Sequence, residues 1–128
     1  MKLKCLIVED AVFIREIYRM SLANQNYDII GEAADGLQAL TMIKLHQPDI
    51  VILDLVLPMK NGLDVLSESY PLSPKTHFLV VSSIDDQEII SKAKALGAME
   101  YIMKPFTKAQ LLASLGRLSQ HYQEVQNG

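Results

Sequence analysis

The chain has 128 residues, enough for one domain that buries roughly two-thirds of the surface its unfolded form would expose. Cys5 is the sole cysteine, which excludes an intrachain disulfide and points to a reducing compartment. The net charge of −3 is spread along the chain with no basic stripe, which argues against nucleic acid as a direct partner.

The N-terminal residues Met-Lys-Leu-Lys-Cys-Leu-Ile-Val turn acidic at Glu9, too soon for a signal peptide. No apolar run approaches the roughly 18 residues of a membrane span. These features predict a soluble, cytoplasmic protein with no membrane partner. The first apolar run, Leu3–Val8, reads as a strand, and Cys5 inside it as a small core residue. Ile14, Ile17, Tyr18 and Leu22 then share one face of a helix. A second run spans 29–33, and Leu40 and Ile43 mark the next helix, which Pro48 stops. A third run spans 50–55, followed by a helix whose apolar face is read as Leu63, Leu66 and Tyr70. The fourth run is 78–81. Asp85 with Glu88 looks like a capping box for a helix that carries Ile89, Ala93 and Leu96 and ends at Gly97. The fifth run is 101–103. Thr107 with Gln110 forms another capping pair, opening a helix with Leu111, Leu115 and Leu118 on one face. The polar stretch 119–128 either frays or continues that helix. His46, His77 and His121 show no metal-ligand spacing and read as surface or edge residues.

Near-continuous apolar strands alternating with helices imply an α/β domain, its parallel sheet covered on both faces. Ligands in such sheets bind outside the carboxyl ends of the strands, where strand order reverses. Those ends carry Glu9 and Asp10, then Asp54, then Ser82 and Ser83, then Lys104 before Pro105. Singly, each has an ordinary explanation: Asp10 as a helix N-cap, Ser82 as a turn residue, Lys104 as a solvated cation. Asp54 is harder to explain, because Ile-Leu-Asp-Leu-Val-Leu-Pro sets a charge in apolar sequence, and a buried charge needs compensation. Two carboxylates about 5 Å apart repel by roughly 3 kcal/mol at an effective dielectric near 20. A hard divalent cation relieves that repulsion, and an oxygen-only donor set suits Mg²⁺. Lys104 then offers charge to an incoming anion and Ser82 a hydroxyl donor. Nucleophile, metal, cation and hydrogen bond together suit phosphoryl transfer.

From Leu3 to about Leu118 the chain resembles the response-regulator receiver domains of two-component signalling. The motifs are Val8-Glu9-Asp10, Asp54 with Pro58 and Gly62 after it, Ser82 after an apolar strand, and Lys104-Pro105-Phe106. Its general look is similar to single-domain, chemotaxis-type regulators. The resemblance implies a flavodoxin-like (βα)5 doubly wound fold with strand order 2-1-3-4-5. It implies a receiver over 1–120 and a polar tail over 121–128. Asp54 would accept a phosphoryl group from a sensor histidine kinase or a histidine phosphotransfer protein. Asp10, Asp54 and the Val56 carbonyl would hold Mg²⁺, with Glu9 acting through a metal-bound water. Lys104 would pair with the phosphoryl oxygens, Ser82 would hydrogen-bond one of them, and Tyr101 would turn with it. The Lys104–Pro105 bond would be cis. The signal would leave by residues 87–96, 101–103 and 108–115 to a target protein or an output domain outside this chain. Glu9 stands where aspartate is common and Ser82 where threonine is common. Apolar Val56 and Ile84 flank the site and predict slow-to-moderate self-dephosphorylation.

Such a domain is a switch that assists its own phosphorylation and dephosphorylation, with no external substrate. Three other readings share parts of the pattern. A haloacid-dehalogenase-type phosphatase usually carries a second aspartate two residues after the nucleophile, where this chain has Val56. A pseudo-receiver would dispense with the acidic pair, Asp54 and Lys104, all of which are present. A flavin-binding domain needs a phosphate cradle after the first strand, where Glu9 and Asp10 would repel the anion.

Overall fold

The computed structural model describes residues 2–127. Strands β1 (Leu3–Val8), β2 (Tyr27–Ala33), β3 (Ile50–Leu53), β4 (His77–Ser82) and β5 (Ala98–Met103) alternate with helices α1 (Val12–Leu22), α2 (Gly36–His46), α3 (Gly62–Leu72), α4 (Gln87–Ala95) and α5 (Lys108–Asn127). The strands form one parallel sheet in the order β2-β1-β3-β4-β5, as expected.

Both faces of the sheet are covered, and the residue alternation of each strand feeds two cores. Leu6, Val8, Val51, Leu53 and Val80 point to the side of α2, α3 and α4, where Ile43, Val65, Leu66 and Ala93 meet them. Cys5, Ile7, Ile50, Ile52, Leu79 and Val81 point to the other side, against Tyr18, Leu22, Leu111 and Leu115. Every residue of β3 and β4 is buried. A fully buried Leu, Ile or Val contributes about 1.5–3 kcal/mol, so these two central strands anchor the fold. Cys5 is fully enclosed, and burial pushes its thiol up to about 12.

Several local signals act as the sequence implied. Thr107 and Gln110 exchange reciprocal side-chain-to-backbone bonds at the start of α5. Gly97 ends α4 at φ +123, a left-handed backbone suited to glycine. The Lys104–Pro105 bond is cis. Three readings change. Asp86, not Asp85, caps α4, accepting the N–H groups of Glu88 and Ile89. The buried face of α3 is Gly62, Val65, Leu66 and Ser69, while Tyr70 is 70% exposed. The helix starts at Gly62 with that glycine against Asp54 and Leu55, just past the end of β3, and its phase leaves Tyr70 outside. His77 lies buried at the start of β4 rather than at the surface. It is covered because α5 keeps its helical course through Asn127, past the end of the sheet. The Tyr122 and His121 rings pack edge-on to His77, at 5.1 and 5.2 Å between centroids. The Tyr122 hydroxyl donates to Asp49 (2.6 Å), so His121 and Tyr122 of the polar stretch, which continues α5, pack at the amino ends of β3 and β4.

Candidate functional site

Register brings the strand ends together. Val8 pairs with Leu53, so Glu9 and Asp54 leave adjacent strands side by side, and the Asp54 N–H donates to the Val8 carbonyl (3.0 Å). Ser82 pairs with Met103, and the Lys104 N–H donates to the Ser82 carbonyl (2.9 Å). The Glu9 N–H donates to the Ala33 carbonyl of β2 (3.0 Å). Phe106, just past the cis proline, stacks on Tyr18 of α1 at 5.6 Å, which ties the Lys104 loop to the opposite core.

Two acids here are buried: Glu9 is 1% exposed and Asp54 7%. Asp10 is exposed beside them. One carboxylate oxygen from each of Glu9, Asp10 and Asp54 lies within 4.8 Å of the others. Lys104 Nζ bridges the buried pair, donating to Glu9 Oε1 (2.6 Å) and Asp54 Oδ2 (3.0 Å). The second oxygens bind backbone: Glu9 Oε2 accepts from Ala11 N–H (3.1 Å) and Asp54 Oδ1 from Val56 N–H (3.2 Å). Burial pushes the Glu9 carboxyl up, and the Asp54 charge adds to it, against the hydrogen bonds from Lys104 and Ala11. Burial works to lower the Lys104 ammonium, but the two carboxylates outweigh it and hold it above its usual value.

The ordinary explanations fail in this setting. The N-cap of α1 is Ala11, with no side-chain cap, so Asp10 is left free to ligate. Ser82 is the fully buried last residue of β4. Lys104 is largely enclosed between carboxylates. Ser82 Oγ accepts the Ile84 N–H (3.2 Å), and the Tyr101 hydroxyl donates to the Ile84 carbonyl (2.7 Å). Ile84 therefore links the two residues. Val56 is 58% exposed, at the mouth of an apolar cleft of about 280 Å³ lined by Leu55, Leu57, Leu63, Ile84 and Ile89. A larger cleft of about 450 Å³ opens beside Tyr101, between β5 and α5, with Met103, Gln110, Ser114 and Arg117 around it.

The β3–α3 loop that carries Val56 is shaped by a close approach. A Cβ on Gly62 would stand 2.5 Å from Leu55 Cα, and the Gly62 N–H donates to the Leu55 carbonyl (2.8 Å). Arg15, absent from the sequence reading of the site, also reaches it. Its guanidinium donates to the Glu9 and Asp10 carbonyls (2.7 and 3.2 Å). Nothing local in the sequence marks these contacts.

The donor set fits a hard divalent cation: three carboxylates, oxygen only, one of them solvent-facing. Among the described residues no helix is long and apolar enough to cross a membrane.

The chain belongs to the response regulator receiver domain family, whose model matches residues 5–116. Receiver domains of this kind are the signalling switches of two-component response regulators, and they bind Mg²⁺ at an acidic pocket. Protein CcdB of Bacillus subtilis is 37% identical over 118 residues, covering 92% of this chain and 98% of its own. The chemotaxis protein CheY of Thermotoga maritima is 32% identical, over 91% of this chain and 97% of its own. Among solved structures, the receiver domain of AraT from Geobacillus stearothermophilus superposes with a TM-score of 0.89 at 27% identity, covering 98% of this chain and 99% of that one. A chain of the CheX-CheY-BeF3-Mg²⁺ complex from Borrelia burgdorferi superposes with a TM-score of 0.85 at 28% identity, covering 88% of this chain and 86% of that one.

Proposed function

We propose that Asp54 is the phosphoacceptor. A carboxylate oxygen attacks the phosphorus of a phosphohistidine on a sensor histidine kinase or phosphotransfer protein. The new O–P bond forms as the P–N bond breaks, and the imidazole leaves with the electron pair and takes up a proton. Asp10, Asp54 and the Val56 carbonyl would hold Mg²⁺, with Glu9 reaching it through water, and the ion would neutralise charge on the transferring oxygens. Lys104 would exchange a carboxylate for a phosphoryl oxygen. The observation that carries this reading is Lys104 Nζ bridging buried Glu9 and Asp54, at 2.6 and 3.0 Å, beside exposed Asp10. It is a preformed cation facing a preformed acidic cluster.

Ser82 and Tyr101 would carry the response. Each bonds to Ile84, the Ser82 oxygen to its N–H and the Tyr101 hydroxyl to its carbonyl. If Ser82 turned to a phosphoryl oxygen, that linkage would break and free the β4–α4 loop. A shift of a kcal/mol or two in such an equilibrium changes a partner's affinity severalfold. The partner would read α4, β5 and the first half of α5, where the cleft beside Tyr101 lies. The phosphatase alternative loses support because position 56 is a half-exposed valine with no acid to offer. Incubation with Mg²⁺ and a small phosphodonor, read by mass spectrometry, should give one phosphoryl adduct. Asp54→Asn should give none; an adduct on that variant, or none on the native chain, would sink the assignment.

A further inference from the structure

Arg15 lies on α1, one turn beyond the acidic pair, and its guanidinium is engaged on two sides. Nη1 donates back to the Glu9 carbonyl (2.7 Å) and the Asp10 carbonyl (3.2 Å). Nε donates to Glu32 Oε1 (3.1 Å) on β2. The side chain is 16% exposed, so this cation is mostly enclosed. Glu32 also accepts from Arg19, whose guanidinium has no hydrogen bond to the Glu9 and Asp10 main chain among the described residues. The Ala11 N-cap of α1 supplies no side-chain cap, and the side-chain bond within the turn from Glu9 to Ala11 is the one from the Ala11 N–H to Glu9 Oε2 (3.1 Å). This turn is the one segment of the site that must hold two acids beside a third.

We propose that Arg15 is a positioning residue for the cation site. By gripping the main chain of Glu9 and Asp10 and bracing itself on Glu32, it keeps both carboxylates converged with Asp54 against their mutual repulsion. The inference rests on the receiver reading. It differs from a plain charge effect in sign. A buried cation near a metal site opposes the metal, so losing its charge alone would tighten Mg²⁺ binding. Losing the grip lets the turn relax and weakens it. The planar fork matters here, because an ammonium cannot serve two carbonyls and a carboxylate in the same geometry.

Isothermal titration of Mg²⁺ into the full chain tests this, with thermal melts to confirm that each variant is folded. Groups that orient metal ligands typically matter by 10–100-fold, so Arg15→Met should weaken Mg²⁺ binding by about tenfold and Arg15→Lys by several-fold, with Arg19→Met within about twofold of the native chain. Amide resonances of Glu9, Asp10 and Ala11 should shift in the metal-free Arg15→Lys protein. That variant keeps the charge and carries the decision if Arg15→Met does not fold. Native affinity in Arg15→Lys, or tighter binding in Arg15→Met, overturns the inference while leaving the receiver reading intact. A native chain that binds no Mg²⁺ overturns both.

Discussion

Replacing Lys104 with methionine removes the cation that bridges Glu9 and Asp54 while keeping an apolar stem of nearly the same length. Two buried carboxylates are then left facing each other. With their oxygens 4.8 Å apart or less and an effective dielectric near 20, the repulsion is about 3 kcal/mol. Relief from burying the ammonium offsets part of this, so the metal-free variant should lose about 2–3 kcal/mol. For a domain of this size that lowers the melting midpoint by roughly 10 °C. On the proposed reading Mg²⁺ would neutralise the same pair, without competition from the ammonium. The variant should therefore bind Mg²⁺ more tightly than the native chain and recover most of its stability in saturating Mg²⁺. Adding Glu9→Gln should restore the metal-free protein in the same way. Phosphoryl labelling should nonetheless fall, because the ammonium that would pair with the incoming oxygens beside Mg²⁺ is gone. Far-UV melts with and without Mg²⁺ measure the first effect and mass spectrometry the last. An equal loss of stability in both conditions would refute the electrostatic account and leave only lost packing.

Val56→Asn places an amide at the exposed mouth of the site, where it can orient a water. The phosphoryl lifetime on Asp54 should shorten severalfold, and an unchanged lifetime would count against the slow-release reading. Tyr122→Phe deletes the hydroxyl that binds Asp49, whose burial and acidic partner push the phenol up to about 12. A half-buried bond to a carboxylate is worth about 1–2 kcal/mol, to be read from the urea midpoint; no change would mean that the end of α5 is not latched. Burial, with His121 beside it, holds His77 below its ordinary 6.5. The unfolded chain then takes up the proton first as pH falls, so stability should be full above pH 6.5 and decline below it. His77→Phe should flatten that decline, and an equal slope in both proteins would assign the effect elsewhere.

The sequence by itself determined the alternation, the sheet and the positions of the acids, because these rest on local chemistry. Apolar runs with both faces buried read as parallel strands, and Thr107 with Gln110 or Gly97 mark helix ends through bonds only a few residues long. The convergence of Glu9, Asp10, Asp54, Ser82 and Lys104 was legible only because parallel strands put their carboxyl ends on one edge. Local signals erred where two close solutions differ by one residue, as with Asp85 and Asp86, or by a few tens of degrees of helix phase, as with Tyr70 against Val65 and Ser69. The tertiary structure alone decided three things. These are the burial of His77 under Tyr122, the bracing of Arg15 on Glu32 of β2, and the bridging of Glu9 and Asp54 by Lys104 across 95 and 50 residues of chain. Contacts of that separation depend on how packed elements are oriented, and no periodicity or spacing along a chain encodes that orientation directly.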